Sequence, residues 1–203
     1  MKIFCIGRNY VEHAKELSNP VPKKPLIFMK PVTALLRNSK PFYYPNFTED
    51  LHYEAEIVLK INGSCKHVEQ KFAHKYFDEV SIGIDFTARD IQAQCKAKGH
   101  PWEIAKAFDN AAPIGEFIPF KDLKNDEAIE FHLLKNGEKV QIGTTKDLIF
   151  DFSYLISYLS KYFTLATGDL IYTGTPVGVG PVKIGDVLEG FIEGKKLLHC
   201  DVK

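Results

Sequence analysis

Residues 51–61 read LHYEAEIVLKI. Tyr53, Ala55, Ile57, Leu59 and Ile61 recur every second position, the repeat of a β-strand whose side chains alternate between faces. The strand expected over Tyr53–Ile61 thus has one apolar face and puts Glu54 and Glu56 together on the other. Two carboxylates so close repel unless water or a cation lies between them. With no histidine or cysteine beside them they suit a hard, oxygen-loving ion such as Mg²⁺, Mn²⁺ or Ca²⁺. A solvated polar strand face is the other reading of the same run.

Working outward, the chain continues to read mainly as strands, expected over Glu79–Ile84, Ala128–Lys135, Lys139–Thr145, Asp169–Thr173, Val187–Ile192 and Leu197–Val202. Asn136-Gly137 between two alternating runs signals a hairpin, and Gly194-Lys195 is expected to turn the last one. Three helices stand among these strands. Asn9, with Glu12 three residues on, is expected to cap one that runs through Leu17. Thr87 is expected to cap a second, with Asp90 at its third position, ending at Gly99-His100-Pro101. Phe152, Leu155, Ile156, Leu159 and Phe163 form the stripe of a third over Asp151–Tyr162. Six prolines between Pro20 and Pro45 leave residues 18–48 irregular and extended between short strands. The fold class is therefore α+β and β-rich.

Composition narrows the function. The 203 residues are enough for one well-buried domain. Lysine plus arginine equals aspartate plus glutamate at 26 each, so no net field attracts nucleic acid or anionic membrane. No apolar run approaches a membrane span, and MKIFCIGRNY lacks the layout of a signal peptide. Cys5, Cys65, Cys95 and Cys200 form no CxxC pair, which suits reduced thiols and a cytoplasmic protein. The seven histidines show no zinc spacing, and neither GxSxG nor HExxH is present.

Four further groups bear on chemistry. Asp85 ends the apolar run of VSIGIDFTARDIQ, either as a turn aspartate or as a third oxygen ligand brought beside Glu54 and Glu56 by strand pairing. His13 and Glu16, three apart, share a helix face, so the carboxylate can fix the imidazole tautomer and leave one nitrogen for a water proton. An exposed, fortuitous pair is the alternative. Lys106, among Ile104, Ala105, Ala107 and Phe108, is either a desolvated charge that steadies an oxyanion or a snorkelling surface lysine. The stretch YTGTPVGVGP, 172–181, is no P-loop; its glycines permit a turn whose amides meet an anion, and Thr175 adds a hydroxyl.

In order along the chain, GRNYVEHAKEL, FMKPVTAL, HYEAEIVLKI, GIDFTARDIQ, KGHPWEIAKAFDNAAPIG and TGTPVGVGP resemble the fumarylacetoacetate hydrolase family, in particular its small acylpyruvate hydrolase and oxaloacetate decarboxylase branch. The resemblance implies a mixed β-sandwich roll and a homodimer: a single domain over 1–203, with an arm (1–48) carrying a lid helix and a β-roll core (49–203). It places metal ligands at Glu54, Glu56 and Asp85 for Mg²⁺ or Mn²⁺, with Ca²⁺ as a substitute. It makes His13 and Glu16 the water-activating pair and Lys106 the catalytic lysine, and it puts Arg89, Gln92 and Thr175 against a keto-acid substrate. The activity implied is metal-dependent hydrolysis of the carbon–carbon bond of acylpyruvates, alongside oxaloacetate decarboxylation. Isomerisation of 2-hydroxyhepta-2,4-diene-1,7-dioate-type diacids and a non-catalytic binding module are the competing expectations. His100, where the family commonly has leucine, is a local difference that bears on substrate fit.

Overall fold

The computed structural model describes residues 1–17, 20–124 and 128–203; Ser18 and Asn19, where the irregular segment was expected to begin, lie outside the described residues. Its largest sheet has six strands in the order Leu26–Lys30, Ile3–Gly7, Leu170–Tyr172, Ala55–Ile61, Phe77–Ile84, Ile118–Pro119. Ile3–Gly7 runs parallel to Leu170–Tyr172 and the other pairings are antiparallel. A four-stranded antiparallel sheet orders Glu138–Thr144, Glu130–Lys135, Val187–Ile192 and Lys195–Asp201. The two sheets pack closely where a side chain on Gly190 would meet Ile82 and Leu198 at about 3 Å. One apolar cluster runs from Ile3 to Val202. The result is the β-rich α+β class with few helices that the residue pattern anticipates, in the mixed sandwich that the family resemblance implies.

The opening stretch departs from its simple reading in two ways. Leu51–Tyr53 pairs with Thr87–Ala88 and Gly180–Pro181, in a different sheet from Ala55–Ile61, with Glu54 between the two strands. Glu56 and Val58, on the supposedly polar face, are 2% and 0% exposed. Ala55–Ile61 is central, flanked on both edges and covered on both faces, so its second face is interior rather than solvated. Lys60 alone stays half-buried and pairs with Glu79.

Strand Ile3–Gly7 was not anticipated, although Ile3, Phe4, Cys5 and Ile6 are at most 1% exposed; with Leu26–Lys30 it adds two strands from residues 1–48 to the central sheet. The hairpin at Asn136-Gly137 forms with φ of 54° and 84°, the left-handed pair that a two-residue turn requires. The last hairpin turns one residue early, at Glu193-Gly194.

Helix α1 spans Val11–Glu16, α2 Arg89–Lys98, α3 Glu103–Lys106 and α4 Phe152–Tyr162. Two expected caps are elsewhere. Tyr10 rather than Asn9 begins α1, because the Asn9 carboxamide is committed to the backbone of Phe150 and Thr173 at 2.8–3.0 Å. Ala88 rather than Thr87 begins α2, because the Thr87 hydroxyl donates to the Asp85 carbonyl and accepts from Lys106 Nζ. Gly99 closes α2 at φ 66°, and Asp151 caps α4 by accepting the Tyr154 N–H at 2.7 Å. No helix among the described residues is long and apolar enough to cross a membrane.

Candidate active site

Strand register builds the floor of the site. Ala55 pairs with Ile84, which sets the residues just beyond them side by side, and the Asp85 N–H donates to the Glu54 carbonyl at 2.8 Å. Glu56 lies two positions along on the same strand. One carboxylate oxygen from each of Glu54, Glu56 and Asp85 falls within 4.8 Å of the others, and all three side chains are buried. The solvated-face reading therefore does not hold for this pair.

Three cations answer these charges. Lys106, buried at the end of α3, places Nζ 2.9 Å from Glu54 Oε2, 2.7 Å from Asp85 Oδ2 and 2.5 Å from Thr87 Oγ1. It is no snorkelling lysine. Arg89 donates from Nη2 to Glu54 Oε1 at 2.6 Å and from Nη1 to Gln92 Oε1 at 2.9 Å. Lys30, fully buried, is the third, with Nζ 2.8 Å from Asp85 Oδ1. Its three protons, however, go to the carbonyls of Phe86, Lys106 and Ala111. Asp85 Oδ1 is left without a hydrogen bond although it is buried.

Burial works against ionising Glu54, but Lys106 and Arg89 outweigh it and hold its carboxyl well below the usual range. Burial raises Glu56 well above that range, Asp85 and Glu54 raise it further, and the Gly174 N–H at 2.7 Å only partly offsets them. Burial alone would lower Lys106, yet Asp85 and Glu54 raise it, so it stays an ammonium. An acid group that resists ionisation and an orphaned carboxylate oxygen point to the same thing. The three side chains offer only oxygen, they converge, and Glu56 has no ion pair among the described residues. A divalent hard cation fits this set.

Above the floor lies α1. His13 Nδ1 and Glu16 Oε2 are 3.0 Å apart, and Glu16 Oε1 accepts the Gly178 N–H, also at 3.0 Å. With Nδ1 engaged, Nε2 is the nitrogen free to exchange a proton, and His13 lines the cleft. Two amides of the glycine-rich turn thus meet protein carboxylates, Gly174 on Glu56 and Gly178 on Glu16. Thr175 Oγ1 accepts from Gln141 Nε2 at 2.9 Å, which leaves the hydroxyl proton to donate. Gln141, 1% exposed, also accepts the Ala55 N–H, tying the turn to the floor strand.

One cleft is lined by His13, Glu54, Glu56, Asp85, Arg89, Gln92, Lys106 and Thr175, with Glu16 behind His13. His100 is exposed and outside that lining. Sequence reasoning passed over Lys30 and Gln141. A lysine closing the apolar run Leu26–Met29 was a signal for the first; nothing local marks the second.

Residues 2–203 match the family model described as fumarylacetoacetate (FAA) hydrolase C-terminal. The oxaloacetate tautomerase FAHD1 of Arabidopsis thaliana, named as mitochondrial, is 44% identical over all of this chain and 91% of its own length. Fumarylpyruvate hydrolase from Pseudomonas aeruginosa, solved with Mn²⁺ and pyruvate, superposes with a TM-score of 0.94 at 35% identity, covering 100% of this chain and 89% of that one. The 2-hydroxyhepta-2,4-diene-1,7-dioate isomerase of Mycobacterium marinum gives 0.86 at 34%, covering 99% and 73%. A match over almost every residue, with a relative at 44% identity and two solved structures on the same fold, makes the chain a member of the fumarylacetoacetate hydrolase family, a family of enzymes.

Proposed function

We propose that this protein is a divalent-metal-dependent enzyme of 2-keto acids, whose shared step is moving a proton at the carbon next to the keto group. The observation that carries this reading is the convergence of Glu54, Glu56 and Asp85 beneath the His13–Glu16 pair in one cleft. Glu54, Glu56 and Asp85 would hold Mg²⁺ or Mn²⁺. The ion would supply Lewis acidity to the adjacent carboxylate and 2-oxo oxygens of the substrate. His13, oriented by Glu16, takes a proton at Nε2 and returns it; positioned general bases contribute about 10²–10⁴. Arg89, Gln92 and the Thr175 hydroxyl orient the substrate carboxylate, and Lys106 sets a fixed positive charge beside developing negative charge on oxygen.

On oxaloacetate this proton shuttle is keto–enol tautomerisation, and loss of the distal carboxylate would be decarboxylation. On an acylpyruvate the same base acts on water, and attack at the distal ketone gives carbon–carbon hydrolysis. The names of the relatives at about 40% identity and of the structural neighbours favour these two readings in turn. The free volume of the cleft is about 30 Å³, little for a four-carbon acid, and lifting of α1 as a lid would enlarge it.

Four buried, unpaired cysteines support a reducing compartment such as the cytoplasm. A second copy is the proposed partner, and the exposed apolar side chains Phe47 and Ile104 offer it a face; light scattering would then give twice 23.0 kDa. The deciding assay is a panel of oxaloacetate, fumarylpyruvate, acetylpyruvate and a hydroxyheptadienedioate with Mn²⁺, with and without EDTA. Metal-dependent turnover of at least one keto acid is expected. Absence of turnover across the panel would end this reading.

A further inference from the structure

Two cations in the cleft have no carboxylate partner among the described residues. Arg8 lines it where strand Ile3–Gly7 gives way to α1, and Lys96 lines it from α2. Arg89, Gln92 and Lys96 are spaced to share one face of α2. Whereas Lys30, Lys106 and Arg89 each lie against a floor carboxylate, neither Arg8 nor Lys96 forms an ion pair or side-chain hydrogen bond among the described residues. The Lys96 ammonium lies over the Trp102 ring, 5.6 Å from its centroid. Burial lowers the Lys96 pKa, and then Arg8, with Arg89 next, lowers it further; the rim cations repel across the opening.

Arg8 is also held at a backbone cost. Its φ is 60°, a region disfavoured by roughly 1–2 kcal/mol for a residue with a Cβ. The next residue, Asn9, is buried and bonded to Phe150 and Thr173, which fixes the bend. Between the rim and the floor stand Phe28 and Trp102, 6.0 Å apart by ring centroids, an apolar wall for a carbon chain. Lys30, Lys106 and Arg89 are each held by Asp85 or Glu54, whereas the two cations at the rim are held by no carboxylate among the described residues.

We infer that Arg8 and Lys96 bind the second carboxylate of the substrate and make the site selective for dicarboxylic over monocarboxylic 2-keto acids. This rests on the keto-acid reading above and adds the class within it. The guanidinium supplies a planar donor pair to a carboxylate and the ammonium a point charge. A monocarboxylic acid leaves both cations without a carboxylate to pair with, which is where the discrimination arises.

The test compares kcat/KM for oxaloacetate and acetylpyruvate in wild type, Arg8→Gln, Lys96→Met, Arg8→Lys and the Gln/Met double variant, all with Mn²⁺. Wild type is expected to favour the dicarboxylate. The preference should fall about 10-fold in each neutral single variant and about 10²-fold in the double, chiefly through KM. Arg8→Lys should keep part of it. Lys96 is exposed on its helix, so Lys96→Met reads the effect even if the strained Arg8 position tolerates no change. An unaltered preference in the double variant overturns the inference, as does equal loss on both substrates or a wild-type preference for acetylpyruvate. No turnover of either acid overturns the keto-acid reading with it.

Discussion

The floor of the cleft and the helix above it are built on opposite principles. Glu56 sits on a strand paired along both edges, Asp85 is linked by its own N–H to Glu54, and each carboxylate meets a fixed donor or cation. Helix α1 has six residues, two of them buried, and no side-chain cap. An isolated helix of that length does not persist in water. It docks through the Glu16–Gly178 hydrogen bond and the packing of His13 and Ala14. The carboxylate floor is therefore fixed by paired strands, while the proposed proton-moving pair rests on a short helix with few anchors.

The contrast can be broken experimentally. The largest effect belongs to the floor: EDTA should reduce turnover by about 10³ or more, because the Lewis acidity it removes has no substitute among the side chains. Next, His13→Ala should cost about 10²–10⁴ in proton transfer while leaving Mn²⁺ affinity near wild type, read by kinetics beside calorimetry. Loss of metal binding in that variant would mean that the two halves are not separable. On oxaloacetate the same change should spare decarboxylation relative to acylpyruvate hydrolysis, since only the latter needs an activated water.

Gly178→Ala sharpens the comparison from the other side. Its φ is 100° and an added Cβ would stand 2.5 Å from the Val140 carbonyl, so the turn must shift and the Glu16 contact weaken. A loss of roughly 1–3 kcal/mol in stability is expected, with a larger proportional fall in turnover than in Mn²⁺ affinity. The smallest effect lies away from both. Asp90 accepts from Thr48 Oγ1 and the Glu49 N–H, and these hydrogen bonds outweigh burial to hold its carboxyl below the usual range. A depressed carboxyl stabilises the fold above its unfolded pKa, ~3.8, and loses that contribution as pH falls through the folded value. Asp90→Ala should thus lower stability by about 1 kcal/mol at pH 7 and by progressively less in acid melts.

Much of this was legible in the residues, and the failures share a cause. The period of two located Ala55–Ile61, and the stripe with its aspartate located α4, because both signals are local. Burial of the second face of Ala55–Ile61 follows from its central place between Leu170–Tyr172 and Phe77–Ile84, which no local window contains. Asn9 and Thr87 carry good capping chemistry, yet remote backbone groups and Lys106 claim them first. Lys30 is held by carbonyls 56 to 81 positions away, and no window around it contains that information. The floor carboxylates could be named from their motifs, but their convergence came only with the register.

Mn²⁺ titration of wild type and Glu56→Gln by calorimetry tests the metal floor most directly. Glutamine retains an oxygen for the Gly174 N–H, and burial already disfavours charge at this position, so the fold should survive. The account predicts one Mn²⁺ per wild-type chain and at least a 100-fold loss of affinity in the variant, about the cost of a lost ligand or its support. Wild-type affinity in a folded Glu56→Gln protein would contradict it.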